Sequence, residues 1–492
     1  MSSKIAFNNF KSFGPQLQTF SKKPIILIYG KNGSGKSSFI HFLAYMNFIK
    51  KFGKYNVNEI HFGDTISLGG FKNFVHKKQK NNEIIIRTDI GENSQRAIHI
   101  GWIDDQVGVK KIEYIYKGQK FLEVDNTNYT LILDSEVYKK DFLKLQKEKI
   151  DLESIGIKIE DGRYIMKINQ KSDVKDVLGA VNKSEPRFDS ASEYSAYYEA
   201  EAFAAKHEAE AEYAMDEQGM HYKVLIERIR SKASEFFKKI NTFEKNNRDK
   251  AFLYIGPLRF YPDRNSKFDD EIVSDTYNSE EFWNILKSKD DLRIKLNSIL
   301  KSLDTSYKIV IRKFVDLNSI TIENNTISKE DILKKAFVNE ELSFYDTRTQ
   351  TFVHHREIGL GITQLLPILG NAITRENTTI CIEQPELHLH PKLQSDIGDE
   401  FIKSMHENNN EFVIETHSEH LLLRFMRRMR QTYEGSLEDE SLKLTPDDIA
   451  LLYVDTDGEN TYILELELDE DGTLLDPWPG GFFEEGFNER FF

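Results

Sequence analysis

The chain has 492 residues and 57.3 kDa, room for roughly two to four domains. Its 39% hydrophobic and 30% charged residues exclude wholesale disorder, collagen and pure coiled coil. The 66 Lys plus Arg against 80 Asp plus Glu give a net charge of −14, so nucleic acid could be held only by a local basic patch. The single cysteine, Cys381, rules out an intramolecular disulfide and a cysteine-based zinc cage. Residues 1–14 are polar and unlike a signal peptide, and the longest apolar run, 24–29, is far too short to span a membrane. The expectation is a soluble, cytoplasmic protein without a membrane partner.

In chain order, residues 4–13 have the alternation of a short strand, and 24–29 form the continuous apolar run of a buried one. Next comes Gly30-Lys31-Asn32-Gly33-Ser34-Gly35-Lys36-Ser37, which matches G-x-x-x-x-G-K-[ST], and then an amphipathic helix over 37–51 stopped by Gly53. The glycines let backbone N–H groups curl around phosphate oxygens, and the helix start adds partial positive charge. Gly30, Asn32, Gly33, Ser34, Gly35, Lys36, Ser37 and Ser38 are therefore the expected ATP-phosphate contacts. Lys36 would reach the β/γ-phosphates and the Ser37 hydroxyl would ligate Mg2+.

Residues 83–90, 97–103, 111–116 and 129–133 show period-two alternation, as in an antiparallel meander. From about residue 135 helices are predicted instead, over 137–153 and 190–215 and, after Gly219, over 221–243. Nine acids against one Lys between 189 and 217 make this helical insertion unsuited to DNA but able to meet a basic protein surface. A strand at 251–255 ends in Gly256-Pro257. Helices at 279–289 and 291–303 and strands at 307–315 and 319–323 follow. The last third is α/β, with strands at 378–382, 411–415, 449–454 and 461–468. Without repeats or a Pro/Ser linker, the insertion is expected to grow out of a fold whose two halves close together.

Thr379-Ile380-Cys381-Ile382-Glu383 is a buried strand capped by a carboxylate that would hold Mg2+. Gln384-Pro385-Glu386-Leu387-His388-Leu389-His390-Pro391 follows it. The strand at 411–415 then delivers Thr416-His417-Ser418. Ligands of open α/β sheets sit at the carboxyl ends of strands, so Gly30, Glu383 and His417 should face one crevice.

These motifs resemble the ATPase class shared by ABC, Rad50/SMC, RecF and OLD-type proteins, and most closely the OLD-like "AAA" ATPases of bacteria. The likeness rests on E-[EQ]-P-E-x-H-L-H-P at 383–391, G-x-G-x-[ST]-Q-x-L-P at 359–367 and G-P-x-R at 256–259. A terminal W-P-x-G-F-F at 478–483 marks a subgroup of stand-alone ATPases. It covers about 1–130 and 250–492 but not the helical middle. It implies that Lys36 and Ser37 are the Walker A pair, Glu383 the Walker B acid and His417 the switch histidine that senses the γ-phosphate. Gly361, Thr363 and Gln364 belong to the signature helix that completes the ATP site of the opposite subunit. The position after the Walker B acid is usually the glutamate that polarises water. Here it is Gln384, an amide able to orient water but a very poor base. Glu386 is the candidate substitute, and hydrolysis is expected to be slow.

Other signals have plainer readings. His388 and His390 fall in an interface loop rather than a metal site, and His354-His355 in a surface loop. Asp455-Thr456-Asp457-Gly458-Glu459 could be read as TOPRIM acids, but an Asp-Gly hairpin turn is favoured, with 35 residues left after Asp457. Arg424, Arg427, Arg428 and Arg430 crowd one helix as an acid-paired face or a partner contact. Residues 72–80 form a basic loop. Arg259 and Arg264 either sense nucleotide or pin the insertion.

The resemblance thus implies an α/β, ABC/Rad50-like P-loop ATPase core with an antiparallel β subdomain and an inserted helical or coiled-coil region. The divisions are 1–134 (N-terminal lobe), 135–250 (insertion), 251–345 (return segment) and 346–492 (C-terminal lobe). ATP and Mg2+ would sit between subunits of a homodimer or larger oligomer. The leading functional expectation is a switch that scaffolds a separate effector nuclease in two-component anti-phage defence and answers to a phage-derived trigger protein. A RecF/Rad50-like DNA-maintenance ATPase is the alternative, although the net charge disfavours DNA. A transporter subunit is third, since Gly361-Ile362-Thr363-Gln364 departs from its signature.

Overall fold

The computed structural model describes residues 3–91, 93–116, 118–125, 130–133, 157–160, 163–167, 250–259, 279–315, 338–354, 357–481 and 483. From the N-terminus, β1 (Ser3–Phe7) and β2 (Gln18–Lys22) precede β3 (Ile25–Tyr29) and α1 (Lys36–Phe52). Next are β4 (Glu59–Phe62) and β5 (Asp64–Ser67). A run of strands follows: β6 (Ile84–Gly91), β7 (Ser94–Ile103), β8 (Gln106–Tyr116), β9 (Gln119–Asp125), β10 (Thr130–Leu133), β11 (Ile157–Glu160) and β12 (Arg163–Lys167). The return segment holds β13 (Ala251–Ile255), α2 (Ser279–Ser288), α3 (Asp290–Ser302), β14 (Tyr307–Val315), β15 (Val338–Asp346) and β16 (Thr351–Val353). The last part holds α4 (Leu360–Thr374), β17 (Thr378–Glu383), α5 (Pro391–Asn408), β18 (Glu411–Glu415), α6 (Glu419–Tyr433), β19 (Ile449–Thr456) and β20 (Thr461–Leu466).

The central sheet runs β13-β17-β18-β3-β19-β20, parallel except for the last strand. The N-terminal strand β3 lies between β18 and β19, from the other end of the chain, so the two halves build one sheet. Every residue of β3 is buried, as a strand covered on both faces requires. Ile25, Leu27 and Tyr29 join the core shared with Leu365 and Leu366 of α4, Phe401 of α5 and Phe425 of α6. Ile26 and Ile28 join the opposite core with Phe39, Phe42 and Tyr45 of α1. There Phe7 of β1 stacks on Phe42 at 3.7 Å and 11°, which fixes α1 against the second sheet.

That second sheet is antiparallel, in the order β11-β12-β10-β9-β8-β7-β6-β1-β2. It is larger than the meander read from the sequence. The single strand expected over 4–13 is β1 alone, and β2 pairs with it from Ser3↔Lys22 to Phe7↔Gln18. The sheet also continues beyond residue 135, where only helices were expected, through β11 and β12. These strands are four and five residues long, too short to register against Lys- and Glu-rich neighbours. The helices expected over 137–153, 190–215 and 221–243 and the strand over 319–323 lie outside the described residues. Among the described residues no helix is long and apolar enough to cross a membrane.

Candidate active site

The phosphate loop leaves β3 at Gly30, whose φ is +148°; a Cβ there would lie 2.1 Å from the Val454 carbonyl oxygen. At Gly35, φ +107°, a Cβ would strike the Ser12 and Thr461 hydroxyls at 2.7 Å. Only glycine fits both a left-handed backbone and these contacts. The β19–β20 turn supports the loop from outside, with the Thr461 hydroxyl donating to the Ser34 carbonyl at 2.9 Å. Asp457 N donates to Asn460 O at 3.2 Å within that turn, so residues 455–459 are the hairpin expected. Ser34 is 2% exposed, and its hydroxyl has no hydrogen-bond partner.

Lys36 opens α1. Its ammonium is buried and donates to the Gly30 and Lys31 carbonyls, both at 2.9 Å, holding the loop in its curl. Burial lowers its pKa, against Glu415, Glu383 and Glu386, which raise it. Ser37 Oγ lies 3.3 Å from Glu383 Oε2 and 3.1 Å from Glu415 Oε2. Glu383 is also held by the Tyr254 hydroxyl, which donates to Oε1 at 2.9 Å from the tip of β13. Burial raises the carboxyl pKa of Glu383, with the Tyr254 and Ser37 hydrogen bonds opposing it.

After β17 the chain turns at Gln384, which takes φ +48° while its N–H donates to the Glu415 carbonyl at 2.8 Å. A non-glycine residue here is strained, and the β18 contact holds it. Glu386 points back to β18: Oε2 accepts from the Thr416 hydroxyl at 2.8 Å and Oε1 from His417 N at 2.7 Å. Its carboxylate therefore braces the turn that carries His417. Burial lowers the imidazole pKa of His417, with Lys36 adding to the effect, so the ring is neutral at neutral pH. Ser418 caps α6 through the Leu421 N–H at 3.2 Å.

The start of α4 is joined to this end of the sheet through Arg259. The side chain of Gln364 clasps the Arg259 backbone, accepting from its N at 3.1 Å and donating to its O at 2.8 Å. The Arg259 guanidinium, 3% exposed, donates to the Glu383 carbonyl at 2.6 Å and to the Gln384 carbonyl at 3.4 Å. Its Nε and the other terminal nitrogen are buried without a hydrogen-bond partner. Burial lowers its pKa to about 10, opposed by Asp64, Glu386, Glu383 and Tyr254. At Gly361 a Cβ would lie 2.4 Å from the His388 carbonyl, so the start of α4 sits directly on the loop after β17. Thr363 is 1% exposed and donates to the Leu360 carbonyl at 2.9 Å; the exposed residues at this helix start are Gly359 and Leu360.

Gly30, Glu383 and His417 thus come to one end of the sheet, as the strand-tip argument expected, and Lys36, Ser37 and Glu386 join them there. Gly361 and Gln364 adjoin it from α4. His390 caps α5, its Nδ1 accepting from Lys392 N at 3.3 Å. His354, expected in a surface loop, is buried at 8% exposure, and His355, Arg356 and Arg264 lie outside the described residues. Glu415, Tyr254 and Thr461 escaped the sequence reading. For Glu415 the signal was present: β18, like β17, is an apolar strand ending in a glutamate.

A parallel sheet with a phosphate loop after β3, acids at the tips of β17 and β18 and a histidine after β18 is the arrangement of a P-loop ATPase. The chain belongs to the AAA ATPase domain family, whose profile matches residues 1–422. It is an ATP-hydrolysing enzyme. Residues 444–490 match a second family, described as a protein of unknown function (DUF3696). Among curated proteins no relative matches. Similar solved structures include the Smc head domain with an extended coiled coil bound to the C-terminal domain of ScpA, from Pyrococcus furiosus. It has 12% identity over 94% of this chain and 96% of that one, with a TM-score of 0.34. The SMC head domain from Thermotoga maritima has 9% identity over 95% and 100%, with a TM-score of 0.35.

Proposed function

We propose that the protein is an ATP-driven conformational switch, with ATP held between two copies of the chain, that controls a separate effector nuclease in anti-phage defence. The observation that carries the switch is the linkage from Glu383 through Arg259 to Gln364. Whatever shifts the end of β17 pulls on α4, the helix whose exposed start, at Gly359 and Leu360, would face the nucleotide of a second copy, with Gly361 and Thr363 packed beneath it. Leu258 and Leu360, 70% and 53% exposed, flank that linkage as apolar surface suited to an interface.

In this reading Lys36 swings from the Gly30 and Lys31 carbonyls to the β/γ-phosphates, and the loop amides cradle the phosphate oxygens. The open amides at the start of α4 meet the γ-phosphate of the opposite site. Ser37 and Glu383 would hold Mg2+, which, when bound, offsets phosphate charge; their hard oxygens fit it. Neutral His417 donates a hydrogen bond near the γ-phosphate. Gln384 orients the attacking water but cannot take its proton, so turnover is slow and the nucleotide acts chiefly as a clamp. The effector and its phage trigger rest on the family resemblance marked by the terminal W-P-x-G-F-F segment; within the chain, Trp478 and Phe483 of that segment pack edge-on against Tyr29 at 5.6 and 5.5 Å.

A nuclease-treated native pull-down from the host, with mass spectrometry and particle mass measured with and without ATP, tests this. A stoichiometric nuclease in a particle of two or more copies supports it. A lone chain whose ATPase is stimulated by DNA overturns it in favour of a DNA-maintenance ATPase.

A further inference from the structure

We infer that Glu415 is a second carboxylate of the metal site, so that Ser37, Glu383 and Glu415 together hold the divalent cation that accompanies ATP. The inference rests on the reading of the crevice as the ATP site.

β17 and β18 pair in parallel with Glu383 directly opposite Glu415. Along the two strands, Cys381 and Val413 pack into the core shared with α1, and the two glutamates lie two residues further on, so both side chains emerge on the α1 side. Their oxygens meet at Ser37 Oγ, at 3.3 and 3.1 Å, yet a hydroxyl has one proton and can satisfy only one of them at a time. The other Glu415 oxygen lies 3.9 Å from Lys36 Nζ, an ammonium already donating to two loop carbonyls. The two glutamates are 7% and 5% exposed. Two buried carboxylates whose close partners are the Ser37 and Tyr254 hydroxyls and an ammonium at 3.9 Å are costly unless a further cation joins them. Three hard oxygens converging beside a phosphate loop are the donor set of a Mg2+ or Mn2+ ion. Consistent with this crowding, burial and then the neighbouring Glu383 push the Glu415 carboxyl up to about 7. If Glu415 merely buttressed Ser37, a glutamine could take its place.

The test is Mn2+ binding to the full-length protein with the non-hydrolysable analogue AMP-PNP, followed by electron paramagnetic resonance, with thermal melting as a folding control. Glu415→Gln should weaken nucleotide-dependent Mn2+ binding by about tenfold or more, and Glu383→Gln should do the same. Mn2+ affinity equal to wild type in a folded Glu415→Gln protein overturns the inference. If that variant does not fold, wild-type crystals with AMP-PNP and Mn2+ decide: the anomalous peak within about 2.3 Å of a Glu415 oxygen supports it, and a peak out of reach overturns it. A wild-type protein that binds no AMP-PNP, indistinguishable from Lys36→Ala, removes the underlying ATP-site reading instead.

Discussion

Two charge-dense regions of this protein look alike in sequence and differ in structure. Along α6, Arg424 and Arg428 meet Asp396 and Asp399 of α5 in matched pairs, with Arg424 to Asp396 at 2.7 Å and Arg428 to the two Asp399 oxygens at 2.8 and 2.6 Å. Two guanidinium groups face two carboxylates, and the network pins one helix to the next. At the carboxyl end of the sheet the ratio is different. Glu383, Glu386 and Glu415 are each raised above the usual carboxylate range, first by burial. Lys36 stands among them, and Arg259 is turned mainly to backbone carbonyls. A balanced network is a structural joint, whereas a buried excess of one charge marks a place prepared for a ligand of the other. The arginines of α6, which the sequence left open between a paired face and a partner contact, divide on this test: Arg424 and Arg428 are paired, and Arg427 and Arg430 are exposed.

Substitutions should separate the two regions, beginning with the largest effect. Lys36→Ala should abolish nucleotide binding, a loss of at least about a hundredfold in the affinity of a fluorescent ATP analogue, with the apo protein still folded. Binding at wild-type strength would mean that the loop does not hold phosphate. Glu386→Gln should slow turnover about tenfold. One amide oxygen cannot replace both carboxylate oxygens that accept from Thr416 and His417. If turnover were unchanged, neither the brace nor a substitute-base role for Glu386 would survive.

The nucleotide-free protein should also respond to pH. The folded-state pKa of Glu415, about 7, lies above the ordinary 4.5, so the native state binds the proton more tightly than the unfolded chain. Stability from this group is fully present below pH 4.5 and is lost as pH rises toward 7, by an amount on the order of 3 kcal/mol. Denaturant unfolding at pH 5 and pH 8 measures it, and the difference should shrink in Glu415→Gln. The smallest effect belongs to the balanced region. Asp399→Asn should cost about 1–3 kcal/mol by leaving Arg424 and Arg428 underpaired. Its ATPase rate should stay within about twofold of wild type; a collapse of activity in a folded protein would erase the distinction between the regions.

Much of the crevice was legible because its signals are local. Glycines at fixed offsets, an apolar run before them and a carboxylate closing a second run are readable without knowing what lies opposite. What escaped depends on distant partners. That β3 lies between β18 and β19 is a fact of topology, not of any window of residues. The carbonyl at Val454 that forces Gly30, and the hydroxyl of Thr461 beneath Ser34, come from the other end of the chain. Arg259 was noticed but not placed, because its partners Glu383, Gln384 and Gln364 are more than a hundred positions away. Glu415 is the instructive miss: its strand ends as β17 does, but His417, two residues on, drew the functional assignment.

The most direct test of the ATP-hydrolysing crevice is steady-state ATP turnover by wild type and Glu383→Gln at saturating nucleotide, with binding measured on the same samples. The structure predicts a fall of at least about a hundredfold in turnover with nucleotide still bound. Equal turnover in the two proteins would contradict it and move the chemistry elsewhere.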